Sequence, residues 1–514
     1  MRDEATGVQV VWFKRDLRLE DHQPLRLASL AGPVIPLYIF EPSLWTAPDF
    51  DRLHGQFIVE SLAELREELA HLGQPLVIRI GEVPEVLHEL HAAHTILHLW
   101  SHEETGTSLT FARDRAVSAW CRSQHVSWTE TRQFGVVRGP LDRDGWQRQW
   151  HTLMHTPVEN TPTALQPVLG INPGDLPTVE QLKCTSYHPA TPQRCDVQRG
   201  GIREARHTLD SFLETRGTHY HSAMSSPITA YKGCSRLSPY LAWGCLSMRT
   251  LAQRVHQRQE EMRALPPANR PSSLKALRAF NARLHWHCHF IQKLESEPAI
   301  EFHCFNRLCD SLRDSGTSDE HLEAWISGRT GYPFVDACMR SLQTRGWINF
   351  RMRAMLTSFA AYDLWIDWRM LNHPLARQFT DYEPGIHLSQ LQMQSGVTGI
   401  NTLRMYNPVK QGYDHDPNGD FIRFWVPELG GSTGAALHEP WTLDHPPSDY
   451  PAPVVNHADA IRDARAKFAA LRRSEGFSEE SKKVYAKHGS RKRPGKRRPK
   501  AVPKPPDPQT ELNL

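Results

Sequence analysis

The chain has little that would place it outside a reducing aqueous compartment. Its nine cysteines are scattered through 514 residues with no Cys-x-x-Cys pair, and the last is Cys338. That argues against a disulfide framework or a paired-cysteine metal site. No apolar run is long enough to span a bilayer, and the N-terminus lacks the basic–apolar–small pattern of a secretory leader. A soluble, cytoplasmic protein with no membrane partner and no metal is expected. The Gly-x-Gly-x-x-Gly fingerprint is also missing, which disfavours a nicotinamide-type dinucleotide site.

What is present divides the chain into four parts. Short β-rich runs, Val8–Phe13, Val34–Phe40, Pro75–Ile80 and Thr95–Trp100, alternate with helical periodicity over His54–Leu72, Val83–His91 and Ser108–Cys121. Such alternation predicts a doubly wound parallel sheet over residues 1–133. Residues 134–206 are rich in Pro, Thr and Gln and read as an interdomain connector. Helical patterns then dominate residues 207–475, including Leu274–Leu294 and one long run from Phe350 to Leu371. From 476 the text turns basic. Ten of the twenty residues 481–500 are Lys or Arg and none is acidic, although the whole chain carries only +3. This segment, 476–514, has too few apolar residues to fold alone and suits attraction to phosphates. It serves either for DNA contact or only for solubility.

Four ordered motifs carry a resemblance. They are Val10-Val11-Trp12-Phe13-Lys14-Arg15-Asp16-Leu17-Arg18-Leu19-Glu20-Asp21, Ser235-Arg236-Leu237-Ser238-Pro239-Tyr240-Leu241-Ala242-Trp243-Gly244, Gly331-Tyr332-Pro333-Phe334-Val335-Asp336-Ala337, and the set from Asp367-Trp368-Arg369 through Asp381-Tyr382-Glu383-Pro384 to Trp425-Val426-Pro427-Glu428-Leu429. Together they resemble the DNA photolyase and cryptochrome family. The resemblance implies an N-terminal α/β domain, an all-α FAD-binding domain, FAD as cofactor and DNA as partner of a monomer. It implies light-driven repair of pyrimidine lesions, with a cryptochrome-type photoreceptor as the alternative. One branch of that family holds an iron–sulfur cluster on late cysteines. Cys304 and Cys309 are the closest pair here and nothing follows Cys338, so the chain is placed outside that branch.

By the same resemblance, Tyr220, Cys234, Ser235, Arg236, Leu237 and Ser238 face the FAD phosphates, as suits hydroxyl and amide donors at a helix start. Arg283, His287, Arg353, Asp381, Tyr382, Glu383 and His387 surround the rest of the cofactor, with Arg353 paired to Asp381. Trp286, Phe350, Arg351 and Met393 belong to the substrate pocket. His387 stands where photolyases usually carry the asparagine at flavin N5, and could donate or hold a proton according to its tautomer. The flavin-proximal tryptophan of the electron-transfer chain is replaced by Leu391. Trp368, or Trp365 one helical turn away, is therefore assigned the electron supply. The pocket also departs from the photolyase pattern at Arg283, Phe350 and Met393. The antenna chromophore is left unidentified. His102-Glu103-Glu104-Thr105-Gly106 follows a strand end, either as an antenna site or as an ordinary strand–helix loop.

Overall fold

A computed structural model of the chain describes residues 7–139, 141–182, 194–266, 273–313 and 318–490. Five parallel strands form one sheet: β1 (Val8–Phe13), β2 (Val34–Phe40), β3 (Val77–Ile80), β4 (Ile96–His102) and β5 (Ser127–Thr131). Their order is β3-β2-β1-β4-β5. The register pairs Val10 with Ile35 on one side and Leu99 on the other. β1 shows why the sheet needs cover on both faces. Val8, Val10 and Trp12 enter a core shared with Val86, Leu87 and Val117. Val11 and Phe13 enter another that continues through Phe57 and Leu62 into Phe212 and Tyr240 of the helical part. The period of two in this strand, apolar except for Gln9, thus joins the sheet to the helical part through one core.

The helical part has its own core around Trp325, Phe359 and Trp368. Its two longest tracts near the candidate site are the Ser273–Ser296 and Pro384–Gln394 helices, which pack on each other. None of the helices among the described residues is long and apolar enough to cross a membrane.

Four expectations are corrected. β5 (Ser-Trp-Thr-Glu-Thr) lacks an apolar run because it is a half-exposed edge strand. The connector contains a helix, Trp146–His155, with Trp146, Trp150 and Met154 buried. Elsewhere in the connector the Leu165 amide donates to the Leu72 carbonyl, and the Pro173 carbonyl accepts from the Ile78 amide of the sheet domain. The run Phe350–Leu371 is not one helix. An α-helix ends at Ser358, a π-helical turn spans Phe359–Asp363, and Trp365 takes φ +55°. Asp367 then caps a new helix, Trp368–Ala376, its side chain accepting from the Arg369 amide at 2.9 Å. Trp365 and Trp368 therefore do not share a helix.

The fourth correction concerns the basic tail. Phe477–His488 is helical, buries Phe477 and Val484, and is anchored where His488 donates to Glu297 at 2.6 Å. Residues 491–514, with the densest basic run, lie outside the described residues. Ending the chain at 475 should cost on the order of 3 kcal/mol or more from lost burial of Phe477 and Val484. Ending it at 490 should leave the urea midpoint unchanged. Equal midpoints for the two truncations would show that the helix adds nothing.

Candidate functional site

Two helices supply the walls of a cavity of ≈ 420 Å³. On Ser273–Ser296 the lining residues include Arg283, Trp286, His287, Phe290 and Lys293, a stripe in which neighbours three or four apart face the cavity. On Pro384–Gln394 they include His387, Gln390, Leu391 and Gln394, at i, i+3, i+4 and i+7. That period turns one face of each helix to the cavity. Cys234, Ser235, Arg236, Leu237 and Ser238 close one end, with Tyr220 beside them. Phe350, Arg351 and Met393 also line it, and Phe350 is 46% exposed.

The structure thus gathers every expected cofactor and substrate residue into one cavity. It leaves out Trp365 and Trp368. Trp368 is fully buried and its Nε1 donates to Cys304 Sγ at 3.3 Å. Trp365 packs against Phe468 with Arg313 over its ring at 4.7 Å. Both serve the core, and neither borders the cavity. Trp347, Asn349, Gln390, Gln394 and Lys293 were not anticipated. Only the helical spacing from His387 and Trp286 could have revealed the glutamines and the lysine.

The loop before Ser238 is held by its carbonyls. Arg216 donates to Cys234 O at 2.7 Å and Ser235 O at 3.2 Å, and Gln198 donates to Arg236 O at 2.8 Å. Arg236 sits at φ +59° with its guanidinium over Trp347 at 4.2 Å. The helix that follows, Ser238–Ala242, has only five residues and no side-chain cap, so its dipole contributes little.

The acidic edge comes from the turn entering Pro384–Gln394. Arg353 Nη2 donates to Asp381 Oδ2 at 2.8 Å, while Arg353 Nε is spent on Ile348 O at 2.8 Å. Glu383 is buried, with Arg15 Nη2 at 3.7 Å from its carboxylate. Burial pushes its pKa up to about 7, against the pull of Arg15. His387 Nε2 lies 3.0 Å from Asn372 O. A carbonyl only accepts, so the proton sits on Nε2 and Nδ1 is left as an acceptor. Burial pushes this ring down to about 4. The tautomer choice left open by the sequence is therefore settled towards a neutral acceptor.

Buried polar atoms of lining residues remain without partners: Asp381 Oδ1, Glu383 Oε1, His287 Nδ1, Gln390 Oε1 and both amide atoms of Gln394. Buried polar groups are normally satisfied, and each orphan costs about 1–3 kcal/mol. So many in one cavity fit a ligand with a polar edge and an apolar body, such as FAD.

The comparisons agree. The DNA photolyase family matches residues 9–137, and the FAD binding domain of DNA photolyase matches 280–470. Deoxyribodipyrimidine photo-lyases of Vibrio cholerae and Streptomyces griseus are 30% and 31% identical. These alignments cover 88% and 91% of this chain and 97% and 99% of the relatives. The chain belongs to the DNA photolyase and cryptochrome family. Residues 280–470 of its helical part are the family's FAD-binding domain. A cryptochrome DASH of Gloeobacter violaceus is 27% identical over 88% of this chain and 94% of its own. In fold, a class III photolyase from Agrobacterium tumefaciens superposes with a TM-score of 0.77 at 24% identity, covering 91% of this chain and 98% of that one.

Two outcomes test the site. Arg353→Ala removes the one ion-pair partner that Asp381 has among the described residues. Since Arg353 is 26% exposed, the loss should be about 1–3 kcal/mol, below that of a fully buried pair, and FAD occupancy should fall. Full occupancy with an unchanged Tm would contradict the pairing. The second is a pH profile. His54, His287 and His387 all sit near 4, below the unfolded value of about 6.5. The unfolded chain therefore takes up protons first as pH falls, so stability is lost between about pH 6.5 and 4 and retained above. An NMR titration of His387 with a midpoint near 6.5 would refute its burial as a neutral ring.

Proposed function

We propose that the protein is a blue-light-driven DNA photolyase that repairs pyrimidine lesions, working as a cytoplasmic monomer on damaged duplex or single-stranded DNA. One observation carries this reading. A single cavity joins the unpartnered acidic edge to an aromatic and basic mouth formed by Trp286, Phe350 and Arg351. Bound there in reduced form, FAD supplies blue-light absorption and a transferable electron.

The chain's own residues do the holding. Asp381 and Glu383 present acceptors to the cofactor's polar edge, and Arg353 fixes the Asp381 rotamer from behind. Arg236 and Ser235–Ser238 serve its phosphate end. His387 offers Nδ1 as an acceptor and has no proton to give on that side. Leu391 keeps the wall beside it apolar and supplies no oxidisable ring. Trp286 offers a stacking face to an extruded base, a contact worth roughly 1–3 kcal/mol. Arg351 and Phe350 stand at the exposed mouth, where the strand enters.

Electron supply through Trp368 or Trp365 has less support than the sequence suggested, since neither borders the cavity. A cryptochrome-type photoreceptor is the second reading, favoured by Arg283, Phe350, His387, Leu391 and Met393 in that cavity. Incubating the FAD-loaded protein with dimer-containing and six-four-containing oligonucleotides decides between them. Restored bases under blue light, and none in the dark, are expected for one lesion class. No restoration of either lesion, with FAD fully bound and reduced, would leave the photoreceptor reading.

A further inference from the structure

Beyond Trp286 and Phe290, the cavity ends in a buried cation that the cofactor assignment does not use. Lys293 is only 7% exposed and is the last member of the lining stripe on its helix. Among the described residues no carboxylate or carbonyl is paired with its ammonium, which lies over the Phe290 ring at 5.0 Å and the Phe305 ring at 5.5 Å. A buried ammonium held by ring faces alone retains hydrogen-bond donors to give.

The surrounding acids are committed elsewhere. Glu297 accepts from His488 at 2.6 Å, Lys487 at 3.0 Å and Arg307 at 2.8 Å. Glu295 faces Thr105 and Arg138. The neighbours of Lys293 add positive charge or donors. Arg143 Nη2 donates to His289 Nδ1 at 2.9 Å, which leaves the His289 proton on Nε2. His289 lines the same cavity. Burial and Arg143 lower Lys293 to about 8, so it is still mostly charged at neutral pH. Trp286 and Phe290 stack at 5.7 Å and 29°, placing an aromatic face next to this cationic end.

A cation beside a stacking platform matches a nucleotide, whose base stacks and whose phosphate is anionic. We propose that Lys293, aided by the His289 Nε2–H, holds a phosphodiester oxygen of the DNA strand whose adjoining base stacks on Trp286. This rests on the DNA reading above and names the element that grips the strand inside the cavity.

The test uses the full-length, FAD-loaded protein and lesion-containing oligonucleotides in fluorescence anisotropy. Lys293→Met keeps most of the buried stem and removes the charge. It should weaken lesion binding about ten-fold and lower the salt slope by about one, and Lys293→Arg should restore both. A methylphosphonate at the phosphate beside the lesion should cost the parent protein a similar factor and cost Lys293→Met nothing more. That arm needs only the parent protein if the methionine variant folds poorly. Unchanged affinity in Lys293→Met, or no penalty for methylphosphonate, overturns the assignment. Inorganic phosphate that stabilises the parent through Lys293 while lesion affinity ignores the lysine would mark a free-anion site and overturn the strand contact. A parent protein with no preference for lesions would instead sink the photolyase reading. Lys293 would then be judged on undamaged single strands, where a loss in Lys293→Met supports the contact and no loss ends it.

Discussion

The site depends on how the first strand's loop is clamped between the two helical segments that bound the cavity. Arg15 Nε donates to Ala242 O at 2.9 Å, its guanidinium lies over Trp243 at 4.5 Å, and Nη2 reaches Tyr382 O. The Leu17 amide and Arg18 Nη1 add bonds to Trp243 O at 3.2 Å and Gly244 O at 3.1 Å. Gly244 takes φ +70°, and a Cβ there would sit 2.1 Å from Arg15 O, so only glycine admits this approach. One arginine thus ties the α/β domain to both the phosphate-side helix and the acidic turn. It is also the charge that faces Glu383. That tie adds to the Trp243 Nε1 bond to Thr380 O at 2.9 Å and the Tyr382 hydroxyl bond to Asp49 at 2.7 Å, which hold the same turn.

The cavity combines this rigidity with incomplete satisfaction. Burial holds His287 and His387 neutral and raises Glu383, so these three side chains add acceptors but little charge beside the Arg353–Asp381 pair. Such a wall is costly when empty and relieved by a ligand with matching donors. The glutamines at 390 and 394 belong to this device, since an amide buried without partners has no role in packing. At the far end the logic reverses. Lys293 keeps a charge whose counter-ion is not among the described residues.

The sequence exposed those parts whose causes are local. β1 and β2 were bounded to the residue because a fully buried parallel strand is a nearly continuous apolar run, broken in β1 only by Gln9, which accepts from Trp100 Nε1 at 2.9 Å. Arg283, Trp286, His287 and the Asp381–Glu383 turn followed from the family resemblance. β5 stayed hidden because an edge strand needs no apolar run. The helix break at 359–367 stayed hidden because Trp365 and Trp368 suggest continuity, although Asp367 carries a capping signal. The Phe477–His488 helix was masked by its basic surface: three buried side chains, Phe477, Val484 and His488, and the ion pairs of Lys487 and His488 with Glu297 hold it, too few to show in composition. The orphaned atoms and the isolation of Lys293 are properties of distant residues brought together, which no spacing reveals.

The central claim is that the unpartnered acceptors of this cavity are the FAD contacts. A crystal structure of the FAD-loaded protein tests it most directly. The account predicts that Asp381 Oδ1 and Glu383 Oε1 lie within hydrogen-bond distance of the flavin's polar edge, with Arg353 still on Asp381 Oδ2. FAD bound elsewhere, or bound here with both carboxylate oxygens still unpartnered, would contradict it.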